Sequence, residues 1–190
     1  MSVLRIAVCD DDSDIRETLC SYLERISLSA GLELSVTCFD SGENLLKEDH
    51  TAFDLLIMDI QMPGNDGLAA ARTIRASNEQ LTIIFLTNYI QYALEGYEVQ
   101  AYRFLLKPPD YEKFSAVVGK ALTELKSRRE AILTIRTKTK ISRIPVEHIL
   151  YVETYKGHVM VHTDTETIES FSSMKETEEV LNSYLFCPWF

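Results

Sequence analysis

The chain of 190 residues contains no apolar run approaching the roughly 18 residues that a membrane-spanning helix needs, so no membrane insertion is expected. No secretory leader is expected at its start. The apolar run from Val3 to Cys9 is short, carries Arg5 and leads straight into Asp10, Asp11 and Asp12, which predicts a cytoplasmic protein. Cysteine is sparse: Cys9, Cys20, Cys38 and Cys187 form no C-x-x-C pair, which excludes a zinc knuckle and a redox dithiol of that type and predicts buried free thiols. Positive charge is also in deficit. Lys and Arg number 19 against 29 Asp and Glu, a net charge of −10, which excludes a general nucleic-acid coat protein. There is no internal repeat and no low-complexity tract.

What is present is alternation. Val3–Cys9, Leu32–Phe39, Phe53–Met58, Thr82–Leu86 and Tyr102–Leu106 read as strands. Each is followed by a helical pattern. The first carries Ile15, Leu19, Tyr22, Leu23 and Ile26, with Asp12 or Ser13 as its N-cap, and a short second one begins at Asp40-Ser41-Gly42. The third shows Leu68, Ala71 and Ile74, the fourth Ile90, Ala93, Leu94 and Tyr97, and the last Phe114, Val117, Val118, Ala121, Leu122 and Leu125. Five strand–helix repeats in about 125 residues predict an α/β fold, a doubly wound five-stranded parallel sheet covered by helices on both faces. The polar stretch Ser127–Glu130 then marks a boundary, and short β-rich runs follow at 132–136, 141–144, 149–155, 159–162 and 167–171. Lys156-Gly157 and Thr163–Thr165 are turn signals, and a helix returns over 173–181. The expected division is residues 1–126, a linker at 127–131, and a smaller β-rich domain over 132–190.

The charge is uneven across this division. Residues 1–130 hold 13 basic and 21 acidic residues, whereas residues 131–190 hold 6 and 8. Within 134–156, Arg136, Lys138, Lys140, Arg143 and Lys156 face only Glu147 and Glu153.

Ligands of open parallel sheets bind beyond the carboxyl ends of the strands. Four strand ends deliver polar groups there: Asp10 and Asp11, Asp59, Thr87, and Lys107. Crowded carboxylates repel, and a hard divalent cation relieves the conflict. An all-oxygen ligand set with open positions suits Mg²⁺. With Lys107 as a compact positive charge and Thr87 as a hydroxyl, the set suits an incoming phosphoryl group with a carboxylate as acceptor.

The set Asp10-Asp11, Asp59-x-x-Met62-Pro63-x-x-Asp66-Gly67, Thr87 and Phe104-x-x-Lys107-Pro108 closely resembles the receiver domain of bacterial two-component response regulators over residues 3 to about 125. The resemblance implies a flavodoxin-like fold. It implies a phosphoacceptor at Asp59 and a Mg²⁺ site built from Asp10, Asp11, Asp59 and the backbone carbonyl of Gln61. It also implies a reporting hydroxyl at Thr87, a phosphate-pairing Lys107 and a switch aromatic at Phe104. The phosphoryl donor would be a sensor histidine kinase, and the chain would be a regulator with at most slow self-dephosphorylation rather than an enzyme. Homodimerisation on phosphorylation would use a face that includes Tyr92, Tyr97 and Tyr102. A rival class, the haloacid-dehalogenase-like phosphatases, wants Asp-x-Asp-x-Thr/Val, but Asp14 stands in the last place.

The phrase Ile144-Pro145-Val146-Glu147-His148-Ile149-Leu150-Tyr151-Val152-Glu153, followed by Lys156-Gly157-His158, resembles a LytTR-type DNA-binding domain. That resemblance implies promoter DNA as a partner, contacted by His158 and Lys156 with help from Lys138, Lys140 and Arg143. It also implies more strands than the residues up to Phe190 supply. A partial module is therefore expected, with Leu185, Phe186, Trp189 and Phe190 at an uncovered end. The alternative output is none: a receiver acting as a phosphoryl sink or protein-interaction module.

Overall fold

The computed structural model describes residues 3–62, 66–88 and 98–182, the side chain of Asn182 excepted. The expected helix at Ile90–Tyr97, with Tyr92, lies outside the described residues, as do Pro63, Cys187 and the apolar group Leu185, Phe186, Trp189 and Phe190. The chain divides into two compact units, Met1–Leu125 and Lys126–Phe190.

In the first unit, β1 (Leu4–Cys9), β2 (Leu34–Phe39), β3 (Leu55–Met58), β4 (Thr82–Thr87) and β5 (Arg103–Leu106) form one parallel sheet in the order β2-β1-β3-β4-β5. All four residues of β3 are buried, as are five of the six in β1, because both faces of the sheet are covered. Side chains alternate between those faces. Leu4, Ile6, Val8, Leu55, Ile57, Ile84 and Leu86 pack with Leu19, Leu23 and Ile26 of α1 (Ser13–Ala30) and with Phe114, Val118 and Leu122 of α4 (Tyr111–Arg129). Ala7, Cys9, Leu56, Met58, Ile83 and Phe85 face the other way, against Leu45 of α2 (Gly42–Lys47) and Leu68, Ala71 and Ile74 of α3 (Gly67–Ser77).

Short polar side chains start these helices. Asp12 accepts from the N–H groups of Asp14 and Ile15, Ser41 from Asn44, and Asp66 from Leu68. Gly31 ends α1 in the left-handed region at φ 59°, its N–H donating to the Ser27 carbonyl.

Three expectations need correction. The helix α4 runs on through Arg129, so most of the expected linker is helical. The polarity of 127–129 reflects an exposed last turn in which Lys126, Arg128 and Arg129 suit the negative end of the helix dipole. Among the described residues only Cys9 is a buried thiol; Cys20 is half-buried and Cys38 exposed, since β2 is an edge strand. Tyr102, expected at the surface, is half-buried against the first core cluster.

In the second unit, β6 (Ile132–Arg136) and β7 (Ile141–Pro145) form an antiparallel pair. A single 3-10 turn at Val146–His148 leads to β8 (Ile149–Tyr155), β9 (His158–Thr163) and β10 (Thr167–Ser170), an antiparallel sheet in the order β10-β9-β8. Lys156 and Gly157 both have positive φ, 50° and 84°, the backbone that a two-residue hairpin turn of matching twist requires. α5 (Met174–Asn182) begins with a reciprocal cap: Ser173 Oγ accepts from the Glu176 N–H, and Glu176 Oε2 accepts from the Ser173 N–H. Leu133, Ile135, Ile144, Val146, Ile149, Val159, Val161 and Leu181 form a core separate from that of the first unit.

Candidate functional site

The topology places β1 and β3 side by side at the sheet's centre, with chain connections leaving in opposite directions, the position at which such sheets bind ligands. The carboxyl ends of both strands are aspartates. Asp10 is held by its own N–H donating to the Phe39 carbonyl, and the Asp59 N–H donates to the Cys9 carbonyl. Asp10 is 1% exposed and Asp59 5% exposed, while Asp11 is exposed. One carboxylate oxygen from each of Asp10, Asp11 and Asp59 lies within 4.8 Å of the others.

β5 delivers the counter-charge. The Lys107 ammonium sits 2.6 Å from Asp59 Oδ2 and 2.6 Å from Asp10 Oδ2. Both contacts are ion pairs and the one with Asp59 is also a hydrogen bond, while Asp10 Oδ2 is buried with the ammonium beside it. The other carboxylate oxygens accept backbone N–H groups, Asp10 Oδ1 from Asp12 at 3.1 Å and Asp59 Oδ1 from Gln61 at 3.2 Å. Burial pushes the Asp10 carboxyl above the usual carboxylate range, against the Lys107 ammonium and the Asp12 N–H, which hold it down. Burial alone would pull the Lys107 ammonium down, but the two carboxylates together outweigh it and hold it above the ordinary lysine value. The neighbouring Cys9 thiol is pushed up to about 12, by burial first and by Asp10 second.

Thr87 ends β4 fully buried, its carbonyl accepting from the Lys107 N–H at 3.0 Å. The Lys107–Pro108 peptide is cis. Phe104 stacks on Phe85 with ring centroids 5.2 Å apart. The acidic triad with an under-bonded buried oxygen fits a small hard cation, which takes oxygen ligands and keeps open positions.

Two supports act through contacts between elements: Arg16, which the sequence did not single out, and Gly67, which it gave only as part of a motif. Arg16 reaches back from α1 to donate to the Asp10 carbonyl at 2.6 Å. Gly67, at the start of α3, lies so close to β3 that a Cβ there would collide with the Asp59 carbonyl oxygen and stand 3.0 Å from Ile60 Cα.

In the second unit Lys138 and Lys140 line one pocket together with Glu166 and Glu169. Lys138 and His158 converge on one carboxylate, Glu169, at 3.7 Å and 3.2 Å, beside the ring of Phe171. Lys140 and Arg143 line a cavity of about 410 Å³ together with His148, Asp164 and Glu166. Lys156 lies at the β8–β9 tip, its ammonium over the Tyr155 ring.

Comparison with known proteins finds a separate match in each unit. Residues 6–118 match the response regulator receiver domain, and residues 139–187 match the LytTr DNA-binding domain. The sensory transduction protein LytT of Oceanobacillus iheyensis is 30% identical over 191 residues, covering 96% of this chain and 76% of its own length. LytT of Bacillus anthracis is 27% identical, covering 94% and 77%. NtrC of Klebsiella pneumoniae, a DNA-binding transcriptional regulator, is 35% identical over 126 residues, but the chain spans only 26% of its length. Among solved structures, the response regulator TrrA of Thermotoga maritima in complex with Mg²⁺ and beryllium fluoride is 33% identical, with a TM-score of 0.53 over 62% of this chain and 98% of that one. The beryllium-fluoride-activated DrrB receiver domain gives 28% and 0.56, over 64% and 99%. A receiver without an output is not favoured, because the match over 139–187 falls in the second unit, which carries its own core. The chain belongs to the response regulators of two-component signalling, with a receiver domain followed by a LytTR DNA-binding domain.

Proposed function

We propose that Asp59 accepts a phosphoryl group from a phosphohistidine on a sensor kinase and that this controls promoter binding by the second unit. The observation that carries the reading is the gathering of Asp10, Asp11 and Asp59 within 4.8 Å under the Lys107 ammonium. Asp10, Asp11 and Asp59, with the Gln61 carbonyl, would hold Mg²⁺, which when bound supplies charge neutralisation for the incoming phosphate. An Asp59 oxygen attacks phosphorus as the imidazole leaves, forming an acyl phosphate. Lys107 is drawn from the carboxylates toward the new phosphoryl oxygens. The Thr87 hydroxyl donates to them, and Phe104 moves with the displaced end of β4. Dimerisation follows from remodelling that face. In the second unit, His158, Lys156, Lys138, Lys140 and Arg143 contact DNA, the cations neutralising phosphates and His158 reaching a base edge. The protein acts in the cytoplasm as a regulator, its only turnover being slow loss of its own phosphate.

The test is incubation with a small acyl phosphate, read by intact-protein mass spectrometry. One added phosphoryl group with Mg²⁺, none in EDTA and none in Asp59→Ala are expected. Equal labelling in EDTA would defeat the reading. A mobility-shift assay with promoter DNA then compares the labelled and unlabelled chains, and equal affinity would separate the receiver from the proposed output.

A further inference from the structure

The two thiols of Cys20 and Cys38 face each other across the contact between α1 and β2, with sulfurs 3.2 Å apart. Cys38 continues the row of Leu34 and Val36, whose side chains pack toward α1 in the first core cluster. Cys38 is exposed and Cys20 half-buried, so a small oxidant can reach the pair. We propose that Cys20 and Cys38 are a reversible oxidation site that closes to an intramolecular disulfide and staples α1 to the sheet's edge strand.

The oxidant is a peroxide. The Cys38 thiolate attacks one peroxide oxygen: an S–O bond forms, the O–O bond breaks, and hydroxide leaves and is protonated to water. The sulfenic acid at Cys38 is then attacked by the sulfur of Cys20. The S–S bond forms, the S–O bond breaks, and the hydroxyl leaves as water with the proton from Cys20. In sum, two thiols lose two electrons and two protons, and the peroxide is reduced to two waters. The sulfurs need to close only from 3.2 Å to the bond length of about 2.05 Å.

Burial first, then the neighbouring Cys38 thiol, pushes Cys20 up to about 11. Cys38, the more exposed of the two, meets the oxidant, and Cys20 resolves it.

The bond would close a loop between positions 18 apart in sequence, enough to restrict the unfolded chain. It also sits beside the candidate site at two points. The residue after Cys38, Phe39, accepts from the Asp10 N–H, and Arg16, one turn before Cys20, donates to the Asp10 carbonyl. The staple therefore ties together the two segments that hold the Asp10 backbone.

The experiment uses the full reduced chain, treated with hydrogen peroxide, alkylated, digested and mapped by mass spectrometry. The expected result is a linked peptide pair containing Cys20 and Cys38, a monomer lighter by two hydrogens, and a higher thermal midpoint that dithiothreitol returns to its starting value. Cys20→Ser and Cys38→Ser, each a near-isosteric change, should fold and lose both the link and the midpoint shift. Full alkylation of both residues after oxidation would overturn the proposal. So would an irreversible sulfinic acid at Cys38 with no link, or a bond that forms only between two chains.

Discussion

The Lys107 ammonium lies 2.6 Å from a carboxylate oxygen of Asp10 and 2.6 Å from one of Asp59, so a single side chain pairs with both buried acids while offsetting only one of their two negative charges. Its own side chain is only 9% exposed, which places all three groups out of bulk water. Lys107→Ala should leave the acids uncompensated and destabilise the metal-free protein by about 3 kcal/mol, the range for breaking a buried pair. Mg²⁺ should restore most of that loss. Urea unfolding in EDTA and in Mg²⁺ measures both quantities, and an equal loss under the two conditions would mean that the acids do not share a cation.

Gly67 is the second pressure point. A methyl group there meets the Asp59 carbonyl, which is backbone and cannot swing aside. Gly67→Ala should cost about 1–3 kcal/mol as an overpacked position. It should also slow phosphoryl acceptance by shifting the end of β3. Denaturant melts together with labelling time courses test this, and wild-type values for both would contradict it.

In the second unit, His148 Nδ1 lies 2.7 Å from Asp164 Oδ2, and the hydrogen bond to that carboxylate holds the imidazole above the ordinary histidine value. A histidine whose folded pKa is raised stabilises the fold fully below its unfolded value of about 6.5, and the contribution is lost as pH rises through the folded pKa. A titration followed by NMR should find His148 above the ordinary value, and Asp164→Asn should bring it down. Unchanged titration in that variant would remove the pair as the cause.

Glu169 restrains Lys138 and His158 together. If those two groups contact DNA, Glu169→Gln should strengthen binding and steepen the dependence of log affinity on log salt by about 0.9 for each further phosphate that the protein neutralises. Salt titrations on a fixed promoter fragment give the slope. A weaker complex with an unchanged slope would mean that Glu169 positions the pair rather than competing with DNA for it.

The central strands β1, β3 and β4 were legible because buried strands contain almost nothing polar, while the edge strand β2 showed itself by alternation. Asp10, Asp59, Thr87 and Lys107 stand where the apolar runs stop, so their convergence followed from parallel topology alone. What escaped depended on distances between elements. Arg16 is an ordinary helix arginine until α1 docks and carries it to the Asp10 carbonyl. Gly67 reads as a turn residue until α3 presses against β3. Cys20 and Cys38 carry no spacing signature, and their apposition arises only from α1 lying over an edge strand. The end of α4 was misplaced because an exposed basic last turn has the composition of a linker. The sharing of Glu169 by Lys138 and His158 depends on which residues of the second unit come together in space, and the positions of basic residues along the chain do not reveal that.

The most direct test of the account is to locate the phosphoryl group. Borohydride reduces an aspartyl phosphate to homoserine and leaves free carboxylates untouched. The chain is labelled with an acyl phosphate in Mg²⁺, reduced and sequenced by tandem mass spectrometry. Homoserine is expected at position 59 alone, and not when EDTA replaces Mg²⁺. Homoserine at position 10 or 11, or at position 59 to the same extent in EDTA, would contradict phosphoryl transfer to Asp59 through a Mg²⁺ site.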